Sequence, residues 1–436
     1  MIHLLAPLSA FPIKANSILH GMIQGLLGLM TLPDSLIGAV IAVLVLLSVV
    51  AARRFRGSSA DYQANIGDLA AVVYVGLQFV TLFTSVSYPN TLHFITPSVI
   101  ALCGYFAVRL LAPSAAVQTV LYRVAVTFGL LLALADYVTW TTEVHILDSF
   151  PRTSLAALHA NLPLVGGPTQ NDSIMLVLAI VPYALASWAL ERGRNRWFSF
   201  LSLSVTAALA VLLVLSFSRG IYLALAVLAA AAFTLLQRHG AWSFRPLGSL
   251  ALMVGVPVVV AVIAFGVQRD VLETVRNKSM SEQRSTMGRF VTWRDSLHAI
   301  EKHPLLGTGG YSDGLESLEW LRDSPEKTFT ARTYNAPLEA LLCSGLIGLL
   351  SYGTFLIYPV VRFVRGSRVD AAGSRGIHAY SFLTAGLIAL MVRDMTYSSL
   401  VLDGRTLLIA WVAVALLQNF IATPKHEIAG ANDQAA

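Results

Sequence analysis

The sequence predicts an all-α integral membrane protein, and three observations carry that prediction. Of its 436 residues 56% are hydrophobic and only 12% charged, with a mean hydropathy of +0.68, which is too apolar for a chain that folds in water. The apolar residues come in long runs divided by charges and by Pro and Gly clusters; a helix needs about 20 of them to cross the hydrocarbon core, and parsed that way the chain holds about twelve spans. Lys and Arg collect in alternate connections, the bias that orients helices in a bilayer. Runs this long and this rich in Leu and Ala do not suit barrel strands, so helices are the form that satisfies the backbone inside lipid.

The spans are expected near 16–32, 35–52, 67–85, 93–112, 117–137, 172–190, 197–217, 220–237, 246–268, 333–361, 376–393 and 405–423. Alternation brings Arg53, Arg54 and Arg56, then Arg192, Arg194 and Arg196, Arg238 and Arg245, Arg362, Arg365 and Arg368, and Lys425 to one side. By the positive-inside bias that side is the cytoplasm. Four regions follow: 1–267, with amino-terminal spans and an outer loop at 138–171; an outer segment at 268–332; carboxy-terminal spans at 333–423; and a polar, small-residue tail at 424–436, expected to be disordered.

The net charge of +6 does not point to nucleic acid, because the basic clusters fall in short inner turns where they orient helices. Cys103 and Cys343 both fall within spans, so no disulfide is expected outside. Lys14 follows the first short apolar run, an order unlike a cleavable signal. There is no internal repeat of the kind that marks many transporters.

The polar interruption at 268–332 is the most informative part of the chain. Its first part, 268–285, is mixed in charge and too poor in apolar residues to build a core. Residues 286–303 then turn periodic: Phe290, Trp293, Leu297 and Ile300 share one helical face, with Arg294, Asp295, Glu301 and Lys302 elsewhere. Such a helix suits the membrane surface. Pro304 stops it, and Gly307, Thr308, Gly309 and Gly310 follow as a turn whose backbone amides are a candidate phosphate nest. A shorter amphipathic piece holds Leu315, Leu318 and Leu321 beside Trp320. Trp293, Tyr311 and Trp320 are candidates for stacking on sugar rings or for anchoring in the interface.

Arg219 stands between two long apolar spans with no room for a loop. An arginine there must snorkel, pair, or line a wet cavity. As an anion ligand it would face the bundle interior, with Gly220 allowing a close approach.

Several short motifs then occur in a telling order. They are Phe217-Ser218-Arg219-Gly220, Gly288-Arg289 with Trp293, His303-Pro304-Leu305-Leu306-Gly307-Thr308-Gly309, Tyr334-Asn335 with Leu338, and Gly345-Leu346-Ile347-Gly348-Leu349-Leu350. In that order, with a long outer segment between them, they resemble the O-antigen ligase and polymerase superfamily over about the second half of the chain. The resemblance implies a glycosyltransferase of the bacterial inner membrane, multi-pass, with its active site facing the periplasm. Its donor would be an undecaprenyl-pyrophosphate-linked glycan. Its acceptor would be the lipid A core for a ligase, or the next lipid-linked repeat for a polymerase, and the motifs fit both. No nucleotide sugar, metal or other cofactor is implied.

The resemblance further implies that Arg219 and Arg289 hold the donor pyrophosphate and take part in catalysis. Physical chemistry agrees. Negative charge builds on the departing phosphate as the sugar bond breaks, and fixed guanidinium groups stabilise that charge more than the ground state. The outer side also lacks an Asp-x-Asp pair of the kind that holds magnesium.

Where the family has His-Asn this chain has Tyr334-Asn335. Tyrosine is a poor base, so Tyr334 and Asn335 are candidates for orienting the acceptor, together with Trp293. Two alternative bases are Glu339, an acid about one turn beyond Asn335 on a membrane helix, and His303 beside the glycine turn. Arg393 is a third candidate phosphate ligand, although Arg393-Asp394 and Asp403-Gly404-Arg405 also read as local ion pairs. Asp136, Glu143 and His145 are weaker acceptor-side candidates. The competing class is a secondary transporter or flippase, for which helices broken at mid-membrane are the expected mark; the spans here read as apolar through their centres, with ionisable residues gathered at the outer surface.

Overall fold

The computed structural model describes residues 36–55, 64–83, 85, 88–111, 115–142, 170–215, 219–239, 289–290, 292–294, 296–309, 333, 335–366, 373–395, 401 and 404–422. Its regular elements are helices: α1 (Leu36–Phe55), α2 (Ile66–Val80, continued by a 3₁₀ turn, Thr81–Phe83), α3 (Tyr88–Leu111), α4 (Ala115–Thr142) and α5 (Gln170–Glu191), then α6 (Arg196–Leu215), α7 (Arg219–Arg238), α8 (Ala336–Gly366), α9 (Gly373–Asp394) and α10 (Gly404–Ala422). Among the described residues nine helices, α2 to α10, are long and apolar enough to cross a membrane, and α1 adds a shorter apolar stretch, Ala39–Val50. Ten of the expected spans thus correspond to helices. The expected spans at 16–32 and 246–268, the loop candidates Glu143 and His145, the pieces 268–288 and 310–332, and the tail lie outside the described residues.

The helix α5 is the hub. Its run from Ile174 to Ala189 is apolar all round except for Ser187, the pattern of a helix enclosed on every side, and nearly all of it is buried. It packs on α4, α6, α9 and α10. Lipid tails are as apolar as Leu, so close fit and hydrogen bonds rather than hydrophobic burial join such helices. The fit is visible where a Cβ on Gly386 of α9 would lie 2.1 Å from the Pro182 ring of α5, and the bond where the Tyr183 hydroxyl donates to the Ile409 carbonyl of α10 at 2.6 Å. On α7 the buried positions Ile221, Ala224, Leu228, Ala232 and Leu235 repeat at helical spacing. Tyr222, Leu223 and Phe233 lie uncovered by protein, as lipid-facing residues do.

Contacts sort the helix termini into two groups, as alternation requires. At one end the start of α2 meets the ends of α3 and α10, and the start of α4 meets the start of α9 through Tyr380 and Gln118. At the other, the start of α7 meets the end of α9, and the start of α8 meets it too. His239, just past α7, lies 5.2 Å from Phe363 near the end of α8, so α7 finishes at the first end while α8 begins at the second.

The first end, predicted to face the cytoplasm, holds a buried ionic cluster that the sequence reading did not single out. Asp68 closes a capping box at the start of α2: Asn65 accepts from the amides of Gly67 and Asp68, and the Asp68 carboxylate accepts from the Asn65 amide. The same carboxylate takes two 3.1 Å bonds from Arg109 of α3 and one of 2.5 Å from the Tyr105 hydroxyl. Arg109 also donates to Asn419 of α10, whose amide donates to the Val108 carbonyl at 3.0 Å. At the end of α5, Arg123 of α4 donates to buried Glu191, 2.7 Å away, and lies over the Phe198 ring.

Candidate functional site

The second end, predicted to face outward, is built around a helix that is not continuous. The expected span 333–361 reads as one helix, but α8 is interrupted at Gly345, whose φ of 66° and ψ of −171° lie outside the helical region. An unbroken helix would pair the amides of Leu346 and Ile347 with the carbonyls of Leu342 and Cys343. Here those carbonyls accept instead from Thr308 at 2.8 Å and Gly309 at 3.2 Å, while Leu346 donates to Pro304 at 2.8 Å and Ile347 reaches Leu305 at 3.5 Å. Residues 304–309 are thus inserted into the helix and satisfy the backbone groups the break would expose, as membrane burial demands.

Glycine makes this insertion possible. A Cβ on Gly345 would lie 2.2 Å from the Leu305 backbone, and one on Gly307, where φ is 75°, would lie 2.6 Å from the backbone of Leu342, Cys343 and Gly345. Two motifs that the sequence shows as separate, the Gly307 turn and the Gly345 run, are therefore the two halves of one joint. The candidate phosphate nest is corrected by the same geometry. The amide of Gly307 donates to the His303 carbonyl, and those of Thr308 and Gly309 donate into α8, so these three are already committed; Gly310 lies outside the described residues. The broken helix expected of a transporter is present, but its freed carbonyls at Leu342 and Cys343 are filled by the chain's own amides.

The insertion fixes the helical segment before it, described at 289–290, 292–294 and 296–302. The stripe expected to suit the membrane surface is divided between protein and surroundings. Ser296 and Ile300 are buried and Trp293 half-buried, whereas Phe290 and Leu297 are 58% and 51% exposed. Phe290 and Leu297 point away from the bundle, and Phe290 stands edge-on to Trp293 at 5.4 Å between centroids. Arg294, Glu301 and Lys302 are exposed as expected; Asp295 lies outside the described residues. Arg289, at the start of the segment, is half-buried. His303 is exposed, and its backbone, not its ring, shapes the turn.

Thr333, Asn335 and Glu339 form a tight junction. The Trp293 indole donates to the Thr333 carbonyl at 2.6 Å. The Thr333 amide and hydroxyl lie 2.8 and 2.7 Å from the same oxygen of Glu339, both residues being fully buried. Asn335 caps α8: its side-chain oxygen accepts from the Leu338 amide at 3.0 Å, and its side-chain amide donates to the Met395 carbonyl at 3.0 Å. The junction joins the outer helical segment, α8 and the end of α9. Neither Tyr334 nor Asp403 falls among the described residues, and the side chain of Asp136 is likewise outside them.

One comparison with known proteins bears on this end of the bundle. Residues 204–353 match the family model described as O-antigen ligase. Over this stretch the chain is similar to the O-antigen ligase family. The stretch runs from within α6 to within α8, so it takes in Arg219, Arg289, the inserted 304–309 segment and the broken helix. Comparison with curated proteins finds no match.

Beyond the matched residues the structure adds Arg393 and its neighbours. Arg393 is 4% exposed and Asp394 1% exposed at the end of α9, and Arg405 is buried at the start of α10. A Cβ on Gly220 would lie 3.0 Å from Arg393 Nε and 3.1 Å from Cζ. The glycine of the Ser218-Arg219-Gly220 motif therefore makes room for the guanidinium of another helix. Arg219 itself opens α7, next to that contact; its side chain is outside the described atoms. Sequence reasoning named Arg393 and Gly220 separately, but nothing in the sequence paired them across 173 positions (393 − 220).

Proposed function

We propose that this chain transfers a glycan from a polyprenyl pyrophosphate donor, undecaprenyl pyrophosphate in bacteria, to a sugar hydroxyl of lipid A core, at the periplasmic face of the inner membrane. The observation that carries the reading is the approach of Arg393 to the Arg219-Gly220 start of α7, at the same bundle end as Arg289 and the inserted segment. Arg219, Arg289 and Arg393 hold the pyrophosphate and stabilise its charge as the glycosidic bond breaks. Arginine suits this task because it stays charged and meets phosphate oxygens with two parallel bonds. Fixed in place, such groups need not reorganise during the reaction. Tyr334, Asn335 and Trp293 orient the acceptor, and no metal takes part.

Reconstituted protein supplied with an undecaprenyl-pyrophosphate-linked glycan and lipid A core tests the proposal. Formation of lipid A core bearing the glycan is the expected product. Lengthened lipid-linked repeats without transfer to the core would make the chain a polymerase of O-antigen or exopolysaccharide. Movement of donor across the bilayer with no new glycosidic bond would make it a transporter or flippase and end the enzymatic reading.

A further inference from the structure

The Thr333 junction carries one step more, which rests on the glycosyl-transfer reading. We propose that Glu339 and Thr333 are a positioning pair that holds both neighbours of the acceptor-side residue Tyr334, and that Glu339 is not the proton acceptor of the reaction.

A general base must present a lone pair to the acceptor hydroxyl, directly or through one water. Glu339 is 1% exposed. One of its oxygens lies within hydrogen-bond reach of the amide and hydroxyl of Thr333, at 2.8 and 2.7 Å, and the other is 3.7 Å from the thiol of Cys343, one turn further into the membrane. Charge-assisted bonds of this kind hold their partners firmly. Here the partner is a backbone position, so the carboxylate sets the path of the chain.

The other contacts of the junction serve the same end. Thr333 is held at its carbonyl by Trp293, from the helical segment that begins at Arg289. Asn335 is held at its side-chain amide by the Met395 carbonyl, two residues beyond Arg393. The junction therefore ties the chain on either side of Tyr334 to the two elements that carry Arg289 and Arg393. A shift of one ångström between donor and acceptor groups is enough to cost a large part of the rate, so the fixed junction is a positioning device for the reaction.

Four variants test the pair: Glu339→Gln, Glu339→Ala, Thr333→Val and Thr333→Ser. Steady-state transfer and hydrogen–deuterium exchange of the 333–339 peptide are measured in the full-length reconstituted protein. Glutamine keeps an oxygen that accepts from Thr333, so Glu339→Gln is expected to hold kcat within about threefold and to leave the pH–rate profile in place. Glu339→Ala and Thr333→Val are expected to lower kcat roughly tenfold with donor KM unchanged, and to speed exchange of the peptide by a similar factor. Thr333→Ser restores both.

A loss of about a hundredfold or more in Glu339→Gln, with one limb of the pH profile gone, would show a base and overturn the inference. So would unchanged rate and exchange in Glu339→Ala and Thr333→Val. The two readings fail separately. If the wild-type protein forms no glycosidic bond, the transfer reading falls; the exchange measurement still decides whether Glu339 and Thr333 fix this turn.

Discussion

The two ends of the bundle both bury charge, but they bury it differently. At the Asp68 end the charges close on one another: Arg109 takes both oxygens of Asp68, Arg123 pairs with Glu191, and Asn65, Tyr105 and Asn419 join α2, α3 and α10 around them. At the Glu339 end the carboxylate faces a backbone turn, a helix is opened and refilled at Gly345, and a glycine stands back from Arg393. Under the proposed transfer reaction, the difference is between a charge that ties helices together and a charge that meets substrate. Burial alone does not separate them, since Arg109 and Arg393 are 3% and 4% exposed. Around Arg109 the bonds tie three helices together, and beside Arg393 the added feature is Gly220, which withholds a side chain next to the guanidinium.

The sharpest way to break this contrast is at Arg109. Removing one partner of a buried ion pair strands the other charge, at a cost of about 3–5 kcal/mol. Arg109→Ala is accordingly expected to give the largest loss of stability, seen as a lower melting temperature and less protein in detergent extracts. The fraction that folds is expected to transfer glycan at the wild-type rate per molecule. A specific loss of rate in well-folded Arg109→Ala protein would erase the distinction between the two ends.

Arg289→Ala is expected to behave in the opposite way. Losing one charge-stabilising group typically lowers kcat by about a hundredfold or more, roughly 2.7 kcal/mol on the barrier. Arg289 is half-buried at the start of the outer helical segment, so protein level and melting temperature are expected to stay near wild type. Arg289→Lys is expected to recover only a small part, since it keeps the charge and loses the two-point contact. Equal loss of rate and stability would place Arg289 with Arg109 as a structural charge.

How much of this was legible depends on the range of each interaction. Ten spans were readable because twenty apolar residues in a row are a local signal. The Asp68 cluster was not, because Asp68, Arg109 and Asn419 come from three helices and each lies near the end of an apolar run, with no local pattern that pairs it with the others. The break at Gly345 was hidden by its neighbours: Leu346, Ile347, Leu349 and Leu350 keep the run apolar, so length and hydropathy pass straight across it. The signal that was there is the glycine count on both sides, Gly307 and Gly309 in one motif and Gly345 in the other, since backbones that touch require such residues. At the opposite end the motif order points to Arg219 and Arg289, while the contact of Arg393 with Gly220 needs the fold.

The apolar stripe at 290–300 supplies the smallest prediction. In water an apolar face turns inward, whereas beside lipid it is as well accommodated facing out. That explains why Ser296 is buried while Phe290 and Leu297 are more than half exposed. If those two side chains rest in the bilayer surface near the route of the donor's polyprenyl tail, Phe290→Asp and Leu297→Asp are expected to raise the KM for lipid-linked donor by about three- to tenfold, with kcat for a saturating donor little changed, because the loss falls on binding of apolar surface shared by ground and transition states. A water-soluble donor with a short prenyl chain is expected to show a smaller difference. The same KM effect with short and long tails would place these residues against the pyrophosphate or the glycan rather than the lipid. No effect with either would leave the outward face as an anchor in the interface and confine the working part of this end to the side where Arg289, Trp293 and Thr333 lie.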